Sequence, residues 1–228
     1  MALPSIETTS SFTGNAGSTT PLTLSHTVTS AKWLLVFVMD GNQESTLGVT
    51  YSGQNLTNLG SVSGGAGWAH TDIWALQDPP AGTANVSITS SGGWGQVCAV
   101  AVGVIGADTT LGTYASWTTA SAVNPTLSGI QSAVNALVFA CEADDGGGSA
   151  GGYSVTSPGV QIFESENHAA DSNYGVQYKI GTGATDSVAW TLSDTNGGAC
   201  ISAIAILPGG APVEERYRTP LYYRLRAA

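Results

Sequence analysis

The feature that most constrains the fold is a succession of short apolar runs, each bounded by residues that favour turns. The runs are rich in Val, Ile, Leu, Trp and Tyr, and Gly, Pro, Asn, Asp or Ser occupies nearly every gap between them. They span residues 23–28, 32–39, 48–52, 71–76, 84–89, 96–105, 126–130, 135–142, 160–165, 174–180, 187–192 and 200–207. No segment shows a long 3.6-residue period. The pattern predicts an all-β chain with very little helix.

Two stretches of the chain resemble each other in the order of their turns and strands. "PLTLSHTVTSAKWLLVFVMDG" (21–41) is similar to "NPTLSGIQSAVNALVFACEADDG" (124–146), and residues 74–105 are similar to residues 178–207. In this alignment Cys98 corresponds to Cys200. We therefore predict two similar halves, formed by pseudo-repeats over 21–107 and 124–207.

The halves could form two separate six-stranded domains or pair into one sandwich. The segment between them carries Tyr114 and Trp117, which a free linker would not need. Continuous apolar runs such as LLVFVM and CAVAVGVI favour central strands that are covered on both sides. We favour one jelly-roll-like antiparallel β-sandwich over residues 21–208, with an N-terminal extension at 1–20 and an extended C-terminal arm at 209–228.

Charge is distributed unevenly along the chain. Residues 1–210 hold 14 Asp and Glu against two Lys, whereas the C-terminal stretch "PVEERYRTPLYYRLRAA" gathers all four Arg. Arg, Tyr and Leu are residues that anchor protein interfaces. The residues expected to dock are Arg216, Tyr217, Arg218, Leu221, Tyr222, Tyr223, Arg224, Leu225 and Arg226. Their partner is either a second copy, which would make a homo-oligomer, or an acidic patch on another protein. Nucleic acid is not expected, because an acidic protein repels phosphate.

The residues that usually carry chemistry are sparse and scattered. The three histidines, His26, His70 and His168, are expected to be partly exposed, and no GxSxG, HExxH or Walker loop is present. We expect no enzymatic activity and no cofactor. The three cysteines lie in apolar runs without metal-ligand spacing, so we expect buried, reduced thiols and no metal site built on them.

Two groups of residues suggest ligands other than protein. Glu142, Asp144 and Asp145 lie beside a Gly-rich loop and could hold Ca²⁺, although their spacing matches no standard calcium loop and favours a solvated turn. Trp68 and Trp94 lie in Gly-rich loops, where exposed indoles could stack on sugars. By contrast, Trp74 and Trp190 follow strand patterns and are expected in the core.

The N-terminus, MALPSIETTSSF, has neither a basic start nor an apolar core, so no signal peptide is expected. No apolar run approaches the roughly 20 residues of a membrane span. These features favour a protein made in a cytoplasm, with no membrane partner.

The segments "LSHTVTSAKWLLVFV", "VTYSGQNLTNLG", "DIWALQDPPAGTANVSIT" and "CAVAVGVIGAD" resemble a β-sandwich repeat of bacterial and tailed-bacteriophage proteins. The resemblance covers residues 21–107, with 124–207 as a more divergent copy. It implies a fold and carries no catalytic residues. It also implies a location in the virion, as a non-enzymatic capsid decoration, cement, head-fibre or tail component that binds other virion proteins. The alternative is a carbohydrate-binding module that recognises host surface glycans through its loop aromatics.

Overall fold

A computed structural model describes residues 3–14, 21–41, 46–64, 69–90, 97–119, 124–145, 153–155, 159–167, 172–192 and 198–210. These residues form strands and turns and contain no helix. The strands are β1 (Ser5–Gly14), β2 (Leu22–Val28), β3 (Trp33–Asp40), β4 (Thr46–Tyr51), β5 (Gln54–Asn55), β6 (Thr57–Ser63), β7 (His70–Gln77), β8 (Gly82–Ser90), β9 (Val97–Ile105), β10 (Ala107–Leu111), β11 (Ala115–Thr119), β12 (Thr126–Gln131), β13 (Leu137–Asp145), β14 (Tyr153–Val155), β15 (Val160–Asn167), β16 (Ser172–Ile180), β17 (Thr185–Leu192) and β18 (Ala199–Pro208).

All strand pairs are antiparallel, and the strands form four sheets. The first half supplies a five-stranded sheet of order β1-β9-β3-β7-β6 and a four-stranded sheet of order β2-β8-β4-β5. The second half supplies a six-stranded sheet of order β10-β18-β13-β16-β15, in which β11 also pairs with β18, and a three-stranded sheet of order β12-β17-β14. The predicted all-β antiparallel sandwich built from two similar halves is confirmed.

The two halves have the same topology. Sheets β1-β9-β3-β7 and β2-β8-β4-β5 interleave in the order of an eight-stranded jelly roll. Strands β10/β11 to β18 repeat that order, without a counterpart of β5 among the described residues. Even an irregularity is repeated, because the edge strand shifts register between Asn58 and Gly60 in one half and between Gln161 and Phe163 in the other. Each half is therefore its own jelly roll, and Cys98 and Cys200 occupy the same place in β9 and β18.

Both repeats begin earlier than the sequence alignment suggested. Residues 5–14, assigned above to an extension, form β1 and pair with β9 along its whole length. Residues 107–119 provide the corresponding strands of the second roll, β10 and β11, which pair with β18. The first strand of each roll is polar on its exposed face and lacks a continuous apolar run, so hydrophobicity alone did not reveal it.

The rolls pack against each other through their larger sheets, which lie in the middle of a four-layer stack. The strand β3 shows why, because Leu35, Phe37 and Met39 face the core shared by the two rolls while Leu34 and Val36 face the core of the first roll. β13 and β18 are buried in the same way between the shared core and the core of the second roll. Continuous apolar runs are required here because both faces of each central strand are buried.

Candidate functional site

Most residues that the sequence singled out for binding lie outside the described part of the chain. This applies to the whole docking set in 211–228, to the glycan candidates Trp68 and Trp94, and to His168. Of the other tryptophans, Trp74 and Trp190 are buried, as predicted. Binding chemistry therefore has to be sought among the buried polar groups and the grooves of the two rolls.

The acidic residues proposed for Ca²⁺ do not lie on a solvated turn. Glu142 and Asp144 belong to β13 and are buried, so that interpretation of residues 141–145 is wrong. The side chain of Asp145 is not among those that the structure describes. Within the ranges that the structure describes, no group of three or more His, Cys, Asp or Glu side chains is placed to hold a metal ion.

A chain of hydrogen bonds runs across the edge of the five-stranded sheet, between β6 and β7. Ser63 Oγ lies 2.9 Å from His70 Nδ1, and His70 Nε2 lies 3.1 Å from Asp72 Oδ1. Ser61 donates its hydroxyl proton to the same Asp72 oxygen. Ser63 pairs with His70 and Ser61 with Asp72 in the strand register, so these side chains share one face of the sheet. His70 is buried at the start of β7, so the expectation that it is partly exposed is wrong.

The order Ser63–His70–Asp72 is that of a catalytic triad, but the local chemistry favours a structural role. Burial alone lowers the pKa of His70, yet the hydrogen bond and charge of Asp72, together with the charge of Asp40, outweigh it and raise the pKa. Once protonated, the imidazole cannot accept the proton of Ser63. The backbone N–H of Gly64, the neighbour of Ser63, donates to Ala69 O at 2.6 Å and is not available to an oxyanion. The network holds β6 against β7.

His26 is in the opposite electrostatic situation. It is buried between β1 and β2, where Nδ1 lies 3.0 Å from Ser10 Oγ and Nε2 lies 3.3 Å from Thr8 Oγ1. Its ring meets the ring of Tyr51 edge-on, with centroids 6.2 Å apart. Burial lowers its pKa more than the charge of Glu7 raises it. The expectation of a partly exposed histidine is wrong here too, and His26 acts as a neutral link between two strands.

A polar cluster also lies between the two rolls. The Ser202 hydroxyl of β18 lies 2.8 Å from Thr71 Oγ1 of the first roll and 2.8 Å from the Tyr114 hydroxyl. The Tyr114 ring rests on Gly60, where an added Cβ would lie 2.5 Å from a ring carbon. Tyr114 thus joins the segment before β11 to the edge strand β6. These bonds fix how one roll sits on the other.

The three cysteines are free and buried, as predicted. Burial raises the pKa of Cys98 to about 11 and raises the pKa values of Cys141 and Cys200 further. Thiols with raised pKa values are poor nucleophiles and poor metal ligands at neutral pH. They pack as small apolar side chains in the shared core.

A groove opens where the shared core reaches the surface beside Trp33. Its volume is about 350 Å³, and it is lined mainly by Trp33, Leu59, Ala75, Leu76, Gln77 and Leu111. The walls come from three strands of the first roll and from β10, so the groove lies on the seam between the rolls. A smaller depression of about 250 Å³ adjoins it at Leu111 and is lined further by Thr113, Gln131 and Leu207. Apolar grooves of this size accept bulky side chains.

Carboxylates stand close to this groove. The Trp33 indole N–H donates to the backbone carbonyl of Asp108 at 2.7 Å, which places Asp108 beside the groove wall. Asp78 follows Gln77 and forms an ion pair with Lys32 at 2.7 Å. Bonds from Lys32 and from the Thr110 backbone lower the pKa values of Asp78 and Asp108, respectively, so both carboxylates are ionised at neutral pH. We call this set the seam groove: Trp33, Leu59, Ala75, Leu76 and Leu111, with Asp78 and Asp108 at its rim.

Sequence reasoning missed both the His70 network and the seam groove. A signal for the network exists, because Ser61, Ser63, His70 and Asp72 alternate with period two on adjacent strands. Finding it required β6, whose run TNLGSVS is too polar to stand out as a strand. The groove left no such signal, since its walls lie far apart in the sequence.

Comparison of the chain with protein-family models, with curated proteins and with solved structures finds no match. None of the described residues belongs to a helix with the length and hydropathy needed to span a bilayer.

Proposed function

We propose that this protein is a non-enzymatic structural subunit of a phage virion, a decoration, cement or fibre-like protein that docks on other virion proteins through residues 211–228. The observation that carries the proposal is the position of β18. This strand pairs with β13 on one side and with β10 and β11 on the other, so both of its edges are occupied. The Arg- and Tyr-rich segment that follows it is therefore not needed to complete the pairing of β18.

The distribution of charge supports the same role. Lys32 and Lys179, the two Lys of residues 1–210, are each paired with an aspartate, at 2.7 Å and 2.9 Å. The four Arg of the C-terminal segment are the remaining Lys or Arg side chains of the chain. A cationic, aromatic segment that follows an acidic β-sandwich suits attachment to an acidic surface of another protein.

The test is co-purification with intact virions from a phage-producing culture of the strain that carries the gene. We expect the full chain to band with particles in a density gradient and the chain lacking 211–228 to stay at the top. A variant with all four Arg changed to Lys keeps the charge but loses the forked hydrogen bonds, and it separates simple attraction from specific docking.

Binding of the truncated chain at the level of the full chain would contradict docking through this segment. Absence of the full chain from the particles would contradict the virion role itself.

A further inference from the structure

The seam groove has the features of a site for a short aromatic peptide. It is apolar inside, because Trp33, Leu59 and Leu111 line it. Leu59 and Leu111 are only partly buried, although both pack on the shared core. A groove of this kind leaves apolar surface in water until a partner covers it.

The rim selects the charge of that partner. Asp78 is an exposed side chain and Asp108 is half-buried, and both are ionised at neutral pH. Lys32 offsets one of the two charges through its ion pair with Asp78. An apolar groove with an acidic rim favours a peptide in which Tyr or Leu alternates with Arg.

The chain itself contains such a peptide. Residues 217–226 read YRTPLYYRLR, so large apolar or aromatic side chains and arginines alternate. The strand β18 ends at Pro208, opposite Ala107 of β10, and Leu111 at the other end of β10 lines the groove. The 18 residues after Gly210 can extend over roughly 60 Å.

The direction of β18 favours a second copy as the host of this segment. The strand runs from the level of Leu111, which pairs with Ile206, to the level of Ala107, which pairs with Pro208. Gly209 then donates its N–H to the carbonyl of Gly106, two residues before Asp108, at 2.8 Å, so the backbone is fixed as far as Gly209. The chain leaves heading away from the Leu111 end of its own groove and would have to reverse to enter it.

We propose that the seam groove binds the segment 211–228 of a second copy of this chain, with tyrosine and leucine side chains in the groove and arginines at Asp78 and Asp108. The proposal rests on the docking role given to that segment above and names its partner. Reciprocal exchange of two segments between two grooves produces a closed, two-fold symmetric dimer. The depression beside Leu111, with Gln131 and Thr113, extends the same surface for the flanking residues.

The test uses full-length chains in sedimentation velocity. We expect the wild-type chain to dimerise, and Leu111→Arg, which places a cation in the groove, to weaken dimerisation by about tenfold or more. The arm variant Leu221→Ser/Tyr222→Ser/Tyr223→Ser should weaken it to the same extent. An equimolar mixture of these two variants retains one intact groove and one intact segment, and it should form a heterodimer that neither variant forms alone.

Two further variants guard against misfolding and against effects of charge alone. Leu47→Arg makes the same leucine-to-arginine change on β4, at a side chain that is 65% exposed and does not line the groove. This variant should dimerise like the wild type. Asp78→Asn removes one rim charge and keeps a side chain that tolerates the positive φ of this exposed position, and it should weaken dimerisation several-fold.

The outcomes separate this inference from the proposed function. If Leu111→Arg and Asp78→Asn both dimerise like the wild type, the groove is not the docking site and this inference is overturned. A monomeric full chain that still binds virions through 211–228 would overturn the second copy as partner and leave the virion role intact. If the arm variant dimerises and binds virions like the wild type, both this inference and the proposed function are overturned.

Discussion

The two rolls share a topology but differ in the side chains of one row. On the face turned away from the shared core, equivalent positions of β7 and β16 pair with equivalent positions of β3 and β13. The row reads His70, Asp72, Trp74 and Leu76 in the first roll and Asn173, Gly175, Gln177 and Lys179 in the second. The opposite row, which faces the shared core, keeps Ile73 and Val176 at equivalent places.

The difference shows which positions the duplicated architecture constrains. Most side chains between the rolls must fit against the other roll and are apolar, and the polar Thr71 and Ser202 that lie there bond to each other. Side chains on the outer row meet only the small sheet of their own roll, and there a tryptophan can be replaced by a glutamine that donates to the Ala189 carbonyl at 3.0 Å. In this row the buried charged side chains lie at the start of β7 in the first roll (His70 and Asp72) and at the end of β16 in the second (Lys179).

The largest expected effect comes from the core that the rolls share. Phe37 and Phe139 come from different rolls and their ring centroids lie 6.0 Å apart. We expect Phe37→Ala and Phe139→Ala each to lower the free energy of unfolding by about 3–5 kcal/mol, because each leaves a cavity in a fully buried layer. Urea unfolding followed by tryptophan fluorescence and circular dichroism measures the change.

The same experiment decides whether the rolls unfold together. We expect one cooperative transition, and a coupling of about 1 kcal/mol between the two phenylalanines in a double-mutant cycle. Two separate transitions, or additive single effects, would contradict a shared core. Leu47→Ala, on the surface, is the control and should change stability by less than about 0.5 kcal/mol.

The next effect concerns the charged pair that only the second roll contains. Lys179 Nζ lies 2.9 Å from Asp186 Oδ1, and Asp186 also accepts bonds from Ser132 and Thr182. We expect Asp186→Asn to cost about 3 kcal/mol, because it leaves a buried ammonium without its counter-charge. The double change Lys179→Leu/Asp186→Ala introduces the first roll's residues, Leu76 and Ala84, and should recover most of that loss.

The pH dependence of this pair checks the same point. Burial alone raises the pKa of Asp186, but bonds from Ser132, Lys179 and Thr182 outweigh it and lower the pKa to about 2. The stabilisation is therefore present above the carboxyl's unfolded pKa and is lost as the pH falls from about 4 to about 2. The double variant should lack this loss of stability at acid pH. If it loses stability between about pH 4 and pH 2 as the wild type does, the loss comes from other carboxylates.

The smallest effects concern the two buried histidines of the first roll. The pKa of His70 is raised, so its contribution to stability is present below the unfolded pKa and is lost as the pH rises through the folded pKa. The pKa of His26 is lowered, so its contribution is present above the unfolded pKa and is lost as the pH falls through the folded pKa. The two histidines thus respond to pH in opposite directions.

Two variants separate these responses. His70→Asn introduces the second roll's residue, Asn173, and should destabilise more at pH of about 5 than at about 8.5. His26→Gln should show the reverse order. Thermal unfolding across this range measures both, and equal shifts at all pH values would contradict the assigned protonation states.

The sequence by itself determined the twelve apolar strands, the duplication and the buried thiols. Alternation and turn residues act over a few positions, so a run such as LLVFVM shows by its composition that both faces are covered. The same logic placed Trp74 and Trp190 in the core. It did not find the short strands β5 and β14. It also failed for β1, β6, β10 and β11, whose side chains are largely polar because one face of each of these four strands meets water.

Only the tertiary structure decided how the strands divide into sheets and where charge is buried. Four sheets in place of two follow from long-range pairing, which no local pattern encodes. The burial of Glu142 and Asp144 and the contact of His70 with Asp72 depend on which strands become neighbours. The seam groove likewise exists only because Trp33 and Leu111, 78 positions apart in the chain, meet where the two rolls pack.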